Sequence, residues 1–307
     1  MRKVKQMRLH RKITVDELVK EMQDAGVLGA GRMGKAAELI AEMFSDPDYT
    51  VFLSIAGAMV PAGLRNIISY LVDQEFVNAI VSTGANMVHD MVEALGFDHY
   101  IGSFMAEDEK LRRKGFGRIG DIYVSQKAFQ NLEKWLNKIL KTLPEHKRRQ
   151  IAPYELLNEI GKRVEDSGSI LARAAERSVP VFCPNLADCI AGFQMWLFSQ
   201  EEKLVVDPLL DTAKITDIVF DARKTAAIIL GGGWPKHYTL FANTFREGVN
   251  CAVQITMDRP EPGGLSGANL EEAISWSKVK SGEKTVTVIA DATIVFPIIV
   301  AAALDRV

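Results

Sequence analysis

Cysteine is scarce: Cys183, Cys189 and Cys251 are the only three, with no CxxC among them. That argues against a disulfide framework or a cysteine-rich zinc site and suits a reducing compartment. Net charge is almost absent too. Lys and Arg number 37 against 39 Asp and Glu, a formal −2, so no global basic surface points to nucleic acid. Apolar runs stay well short of the roughly 18 residues that a membrane helix needs. The N-terminus is basic but lacks the apolar stretch and cleavage site of a signal peptide. The expectation is a cytoplasmic protein that binds neither nucleic acid nor membrane. The remaining composition is that of an ordinary globular chain: 307 residues, 48% hydrophobic and 25% charged. That is enough for one large α/β domain or two small ones.

Arg2, Lys3, Lys5, Arg8, Arg11 and Lys12 crowd residues 1–12. They read as a solvated or partner-contacting arm, with RNA binding as the alternative. Residues 14–25 and 35–44 have helical apolar spacing, and Thr14 with Glu17 forms a capping-box pattern. From residue 50 strand-like runs alternate with amphipathic helices. The runs are 51–55, 78–82, 179–182, 218–220, 226–230, 251–255 and 285–289. The helices are 62–73, 86–95, 126–141, 152–163, 167–177, 238–247, 270–279 and 294–304. This alternation predicts an α/β fold, doubly wound and Rossmann-like, with a mostly parallel sheet covered on both faces. Residues 1–49 would be a basic arm and helical extension, and 50–307 one catalytic domain. The Gly-rich, charged stretch 103–125 reads as an excursion from the sheet. Ligands in such folds bind beyond the carboxyl ends of the strands. Small or polar residues follow the runs there: Ala56-Gly57-Ala58, Ser82-Thr83-Gly84, Pro184-Asn185, Gly231-Gly232-Gly233 and Ala290-Asp291-Ala292.

Gly29-Ala30-Gly31-Arg32-Met33-Gly34 spells GxGxxG. The dinucleotide fingerprint needs a strand before it, so that a pyrophosphate meets a helix N-terminus. Residues 16–25 are polar and helix-patterned instead, so the segment is expected to be a flexible connection between two helices.

Three segments near the C-terminus carry chemistry. Gly231-Gly232-Gly233-Trp234-Pro235-Lys236-His237 follows the run 226–230. Its glycines would let a ligand approach the backbone, and His237 would lie just past a strand end, unless it is simply a surface histidine on a turn. In Ser266-Gly267-Ala268-Asn269-Leu270-Glu271-Glu272-Ala273-Ile274-Ser275-Trp276-Ser277-Lys278, a helix from Leu270 would put Glu272 and Trp276 on one face, four residues apart. A carboxylate beside a large aromatic ring suits an alkylammonium. The same pattern also fits a packed Trp and a solvated Lys. In Val286-Thr287-Val288-Ile289-Ala290-Asp291-Ala292, Asp291 ends a strand and could bind a nucleotide hydroxyl, cap the next helix, or do both.

Taken together, these segments resemble deoxyhypusine synthase. GGGWPKH is similar to that family's glycine loop with its substrate histidine. SGANLEEAISWSK resembles its SGA…EA(V/I)SWGK segment, and IADATIVFP its ADAS-VFP cofactor segment. VPVFCPNLAD, ending at Asp188, and FGRIGDIYV (116–124) resemble others. The likeness runs from about residue 50 to the C-terminus. It implies NAD as cofactor and Lys278 as the amine nucleophile. It implies catalytic or substrate-binding roles for His237, Glu272, Trp276 and Ser266. It places Ala56, Gly57, Ser82, Thr83, Gly84, Asp188, Gly232, Asp291 and Ala292 at cofactor positions. The implied reaction moves the aminobutyl group of spermidine through an enzyme–lysine imine to a lysine of translation initiation factor 5A. The implied assembly is a homotetramer with sites between subunits. A nucleophilic amine must be neutral, which desolvation beside an apolar ring such as Trp276 favours.

The chain departs from the family pattern at four places. Phe193 and Leu265 stand where it has acidic residues, Val88 where it has a cofactor-contacting Glu, and Ser277 where it has Gly. Fewer carboxylates weaken recognition of a polyamine's separated charges. The alternatives are an enzyme of the homospermidine synthase type, another donor such as agmatine, or a catalytically silent NAD-binding paralogue.

Overall fold

The computed structural model describes residues 1–307, the side chain of residue 283 excepted. In chain order the elements are α1 (Val15–Ala25), α2 (Leu28–Ser45), β1 (Tyr49–Ile55), α3 (Arg65–Asp73), β2 (Ala79–Ser82), α4 (Gly84–Ala94), β3 (His99–Ile101) and α5 (Asp108–Arg113). There follow β4 (Phe116–Ile119), β5 (Ile122–Ser125), α6 (Gln126–Thr142), α7 (Glu145–Arg149), α8 (Pro153–Gly161), α9 (Ile170–Glu176), β6 (Val181–Phe182) and α10 (Ile190–Ser199). The last are α11 (Leu209–Asp221), β7 (Lys224–Leu230), α12 (Gly233–Ala242), β8 (Val249–Thr256), β9 (Val279–Ile289) and α13 (Ala292–Leu304). Short helical turns cover Val60–Leu64, Asn243–Arg246 and Glu272–Trp276. Among the described residues no helix is long and apolar enough to cross a membrane.

Contacts gather the chain into two compact units. The first holds Met1–Gly57, Phe76–Val81 and Lys214–Val307, and the second Ala58–Glu75 and Ser82–Ala213. The contacts therefore do not divide at residues 49/50. α1 and α2 pack on α13, and α2 also on β8 and β9, inside the first unit. In this unit the strand order is β2-β1-β7-β8-β9, with β1/β7, β7/β8 and β8/β9 parallel. β1, β2, β7 and β8 are buried along almost their whole length, as strands covered on both faces must be. The α/β class read from the alternation is the one found. After β1 the chain goes to β2 on one side, while β7, β8 and β9 build out on the other. The order therefore switches between β1 and β7, and a crevice opens outside the carboxyl ends of such a pair.

The second unit carries β6, helices α3 to α10 and a three-stranded antiparallel sheet in the order β3-β5-β4. That sheet is the excursion expected at 103–125. Its β4–β5 hairpin pairs Ile119 with Ile122 around Gly120-Asp121, and Gly120 has a φ of 61°, as such short loops require.

Two expectations are corrected. Residues 218–220 are not a strand; they end helix α11. Asp211, Ile215 and Val219 are all buried, four apart, and this helical period outweighs the β propensity of the local Ile-Val-Phe triplet. The GxGxxG segment is not a flexible connection either, since it forms the first turns of α2. A Cβ on Gly31 would lie 2.6 Å from the carbonyl carbon of Gly26, and one on Gly34 would collide with Gln23. These glycines let α1 and α2 pack closely, whereas Gly29 has nothing within 4 Å of its Cβ position. Gly34→Ala should therefore destabilise the fold by about 1–3 kcal/mol through overpacking, and Gly29→Ala should not. Chemical denaturation of the two variants checks the ranking, and equal stabilities would refute it.

The arm at 1–12 has no regular structure. Lys5 Nζ donates to Asp24 at 2.5 Å, and the Arg8 amide donates to Glu21 at 2.8 Å. Thr14 and Glu17 make both bonds of the capping box.

Candidate active site

The loops after β1 and β7 meet at the switch point. The Ala56 amide donates to Leu230 O at 2.9 Å, and the Gly231 amide to Ile255 O at 2.8 Å. Gly231 and Gly233 have φ of 74° and 57°, a region that side chains disfavour. A Cβ on Gly232 would strike the Ser266 backbone, so only glycine lets the loop 265–268 lie here. Ser266 Oγ in turn accepts from the Gly233 amide at 2.9 Å. α12 begins at Gly233 rather than near 238, and this puts His237 in its second turn.

His237, Glu272, Trp276 and Lys278 border one cavity of about 570 Å³, with Leu240, Phe241, Leu265, Ala268 and Asn269 among its walls. Lys278 Nζ is 3.5 Å from His237 Nδ1 and 5.8 Å from the centroid of the Trp276 ring, within cation–π range. His237 stacks on Phe241, centroids 5.5 Å apart. Burial first, and the Lys278 amine second, hold the His237 imidazole below its usual pKa.

The helix expected over 270–279 is a single 3-10 turn, Glu272–Trp276. At about three residues per turn, positions four apart do not share a face. Glu272 and Trp276 reach the cavity from different sides of the turn. The reason for its end is explicit. Lys278 N donates to Ala273 O at 3.0 Å and Ser277 N to Ile274 O at 3.0 Å, the paired bonds of a Schellman cap. The cap needs a left-handed residue, and Ser277 supplies it with φ 53°. Lys278 thus leaves the turn at a fixed angle, and β9 starts at once. Ser277→Gly should keep the cap and raise stability by up to about 1 kcal/mol as left-handed strain is relieved. A β-branched Ser277→Val should lower both stability and activity. Melting curves and turnover of the pair test this; a more active Val variant would refute it.

Trp276 does not exclude water as expected, because it is 68% exposed. Trp234, Phe241 and Phe245 are also exposed, at 61%, 49% and 55%. Asp291 is the N-cap of α13: its Oδ1 accepts from Thr293 N at 2.8 Å and from Thr293 Oγ1 at 2.7 Å. Among the described residues no hydrogen bond reaches its Oδ2, and Ala292 beside it is buried.

The remaining expected residues lie in the second unit. Ser82 is buried, Thr83 caps α4 through Asn86, and Gly84 opens that helix. A Cβ on Gly84 would lie 2.6 Å from Cys189 Sγ, so the 82–84 turn lies against the segment after Asp188. Asp188 is exposed and accepts from Asn185 Nδ2 at 3.1 Å. Val88 is buried in α4, and Phe193 on α10 is 57% exposed, its ring 5.3 Å from that of Trp196. The sequence reading missed Lys236 and Gln254, both buried beneath the loop 265–268. The signal was there: Gln254 is an amide flanked by Val253 and Ile255 in strand β8.

The family model described as deoxyhypusine synthase matches residues 17–303. A probable deoxyhypusine synthase of Methanothermobacter thermautotrophicus is 43% identical over 303 residues, 99% of this chain and 98% of the relative. A probable deoxyhypusine synthase 1 of Archaeoglobus fulgidus is 44% identical over 298 residues, 97% of this chain and 96% of the relative. A crystal structure from Entamoeba histolytica whose description names deoxyhypusine synthase superposes with a TM-score of 0.69. It covers 96% of this chain and 94% of its own at 22% identity, a likeness of fold.

Proposed function

The chain belongs to the deoxyhypusine synthase family, and from that premise we propose that it moves the 4-aminobutyl group of spermidine, with NAD, to a lysine of a protein resembling the precursor of translation initiation factor 5A. Membership makes it a transferase, of the aminobutyl transfer that forms hypusine. The observation that carries the finer reading is Lys278, its amine set between His237 and Trp276 over a cavity that Glu272 also borders.

The residues present fit the cofactor. Within the first unit a glycine-lined loop lies at a switch point of parallel strands, and Asp291 has an oxygen that could take a ribose hydroxyl. When bound, NAD would take a hydride from the carbon beside the donor's secondary amine and give it back at the end. The chain's own groups do the rest. Glu272 pairs with an ammonium of the donor, and the Trp276 ring faces its alkyl stem. His237, held neutral, accepts the proton that Lys278 must lose. The Lys278 amine then attacks the oxidised carbon, the C–N bond to diaminopropane breaks, and Lys278 carries the aminobutyl group as an imine. Attack by the acceptor lysine frees Lys278, and reduction completes the new secondary amine. The exposed Trp234, Phe241, Phe245 and Trp276 support closure of the cavity by a second copy, in the homotetramer that the resemblance implies.

Leu265 in the cavity wall favours a second reading, a donor with fewer separated charges, as in the homospermidine synthase type. Incubation with NAD, labelled spermidine and candidate acceptors, followed by mass spectrometry, separates the readings. The proposal expects label on an acceptor protein's lysine. Label on a free amine would support the second reading, and no label on any acceptor would indicate a silent NAD-binding paralogue.

A further inference from the structure

Lys236 is a buried cation that the reaction above does not use. It lies in the first turn of α12 and is 4% exposed. Its Nζ donates to Gln254 Oε1 at 2.9 Å, to Leu265 O at 2.9 Å and to Ala268 O at 2.5 Å. An ammonium has three protons and no lone pair, and all three are engaged. Gln254 completes the bridge from β8: its Nε2 donates to Gly231 O at 3.0 Å and to Ser266 O at 2.8 Å. The described segment between Thr256 and Glu272 contains no helix or strand of its own. Its place is held largely by these two buried side chains and by Ser266.

We propose that Lys236 is a positioning residue for the donor-binding wall of the cavity: its ammonium holds the loop 265–268 against the glycine loop and so fixes Leu265 and Ala268 where the substrate must pack. A neutral amine could not do this, because its lone pair would face a carbonyl. Burial, reinforced by Lys278 and opposed by Glu272, lowers Lys236 to about 8. Among the described residues, Glu272 and Lys278 act on its charge and His237 borders the same cavity, while its three protons go to Gln254, Leu265 and Ala268. The hold should therefore weaken as pH rises through about 8. A direct role in the chemistry is a separate matter, and the two are distinguishable.

Hydrogen exchange on the full-length wild type and on Lys236→Met tests the proposal without any reaction. Protection of the peptide 264–270 should fall at least about tenfold in Lys236→Met at pH 7, since buried carbonyls lose their donor, while protection in β8 holds. In the wild type the same peptide should lose protection between about pH 7 and 9 as the ammonium is lost. The kinetic arm alone rests on the transfer reaction proposed above. There Lys236→Met should raise the donor KM at least about tenfold, and a covalent adduct at Lys278 should still form at saturating donor. Unchanged protection in both the variant and the pH series would overturn the proposal. So would intact protection with the adduct lost at saturating donor, which would put Lys236 in the chemistry. If Lys236→Met does not fold, the wild-type pH series decides. Failure of the wild type to transfer any amine would count against the proposed function and leave the exchange result to judge Lys236.

Discussion

Lys278→Arg should lower turnover by at least about 1,000-fold, the scale of losing a covalent nucleophile, while NAD affinity stays within about twofold because no proposed cofactor contact is touched. A guanidinium stays protonated at any working pH and cannot form the imine. It can still sit near Trp276, so binding and chemistry come apart in this variant. No neighbouring amine can take over. Lys236 also borders the cavity, but its three protons are committed to Gln254, Leu265 and Ala268. A rate within about tenfold of wild type would remove Lys278 from the mechanism.

Asp291→Ala should weaken NAD by about 10- to 100-fold, the cost of losing a hydrogen bond to a charged group. One oxygen of Asp291 caps α13 and the other remains for a ligand. The alanine variant therefore also loses a helix cap, about 1 kcal/mol of stability. Asp291→Ser separates the two effects, because serine caps a helix as well as aspartate does. Stability should return in Asp291→Ser and NAD affinity should not. Gly29→Ala, in the segment that spells a dinucleotide fingerprint, should leave the affinity unchanged. Strong weakening at Gly29 with none at Asp291 would overturn the cofactor site.

The contrast between those two positions shows what the sequence makes legible. Periodicity placed β1, β7 and β8 well because each is a buried strand between unambiguous turns. No strand is expected before GxGxxG, and the structure likewise has helix α1 there. What periodicity could not show was that Gly31 and Gly34 are small because Gly26 and Gln23 of a neighbouring helix press on them; such contacts leave no local pattern. At 218–220 the apolar triplet Ile-Val-Phe reads as a strand unless the buried Asp211 and Ile215 upstream are known. At 270–279 Glu272, Trp276 and Lys278 do border one cavity, but from a 3-10 turn and not the expected helix. Ser277 gives no sign of a left-handed backbone in the way glycine does, so the cap that ends the turn and aims Lys278 was invisible. Lys236 was legible only as a neighbour of His237, because its partners are an amide oxygen and two backbone carbonyls far along the chain.

The central claim is that Lys278 carries the transferred group. Reduction with borohydride during turnover, in the presence of NAD and the donor amine, followed by peptide mass spectrometry, tests it most directly. The account predicts an aminobutyl mass on the peptide containing Lys278 and no such mass in Lys278→Arg. An adduct on Lys236, or one that persists in Lys278→Arg, would contradict it.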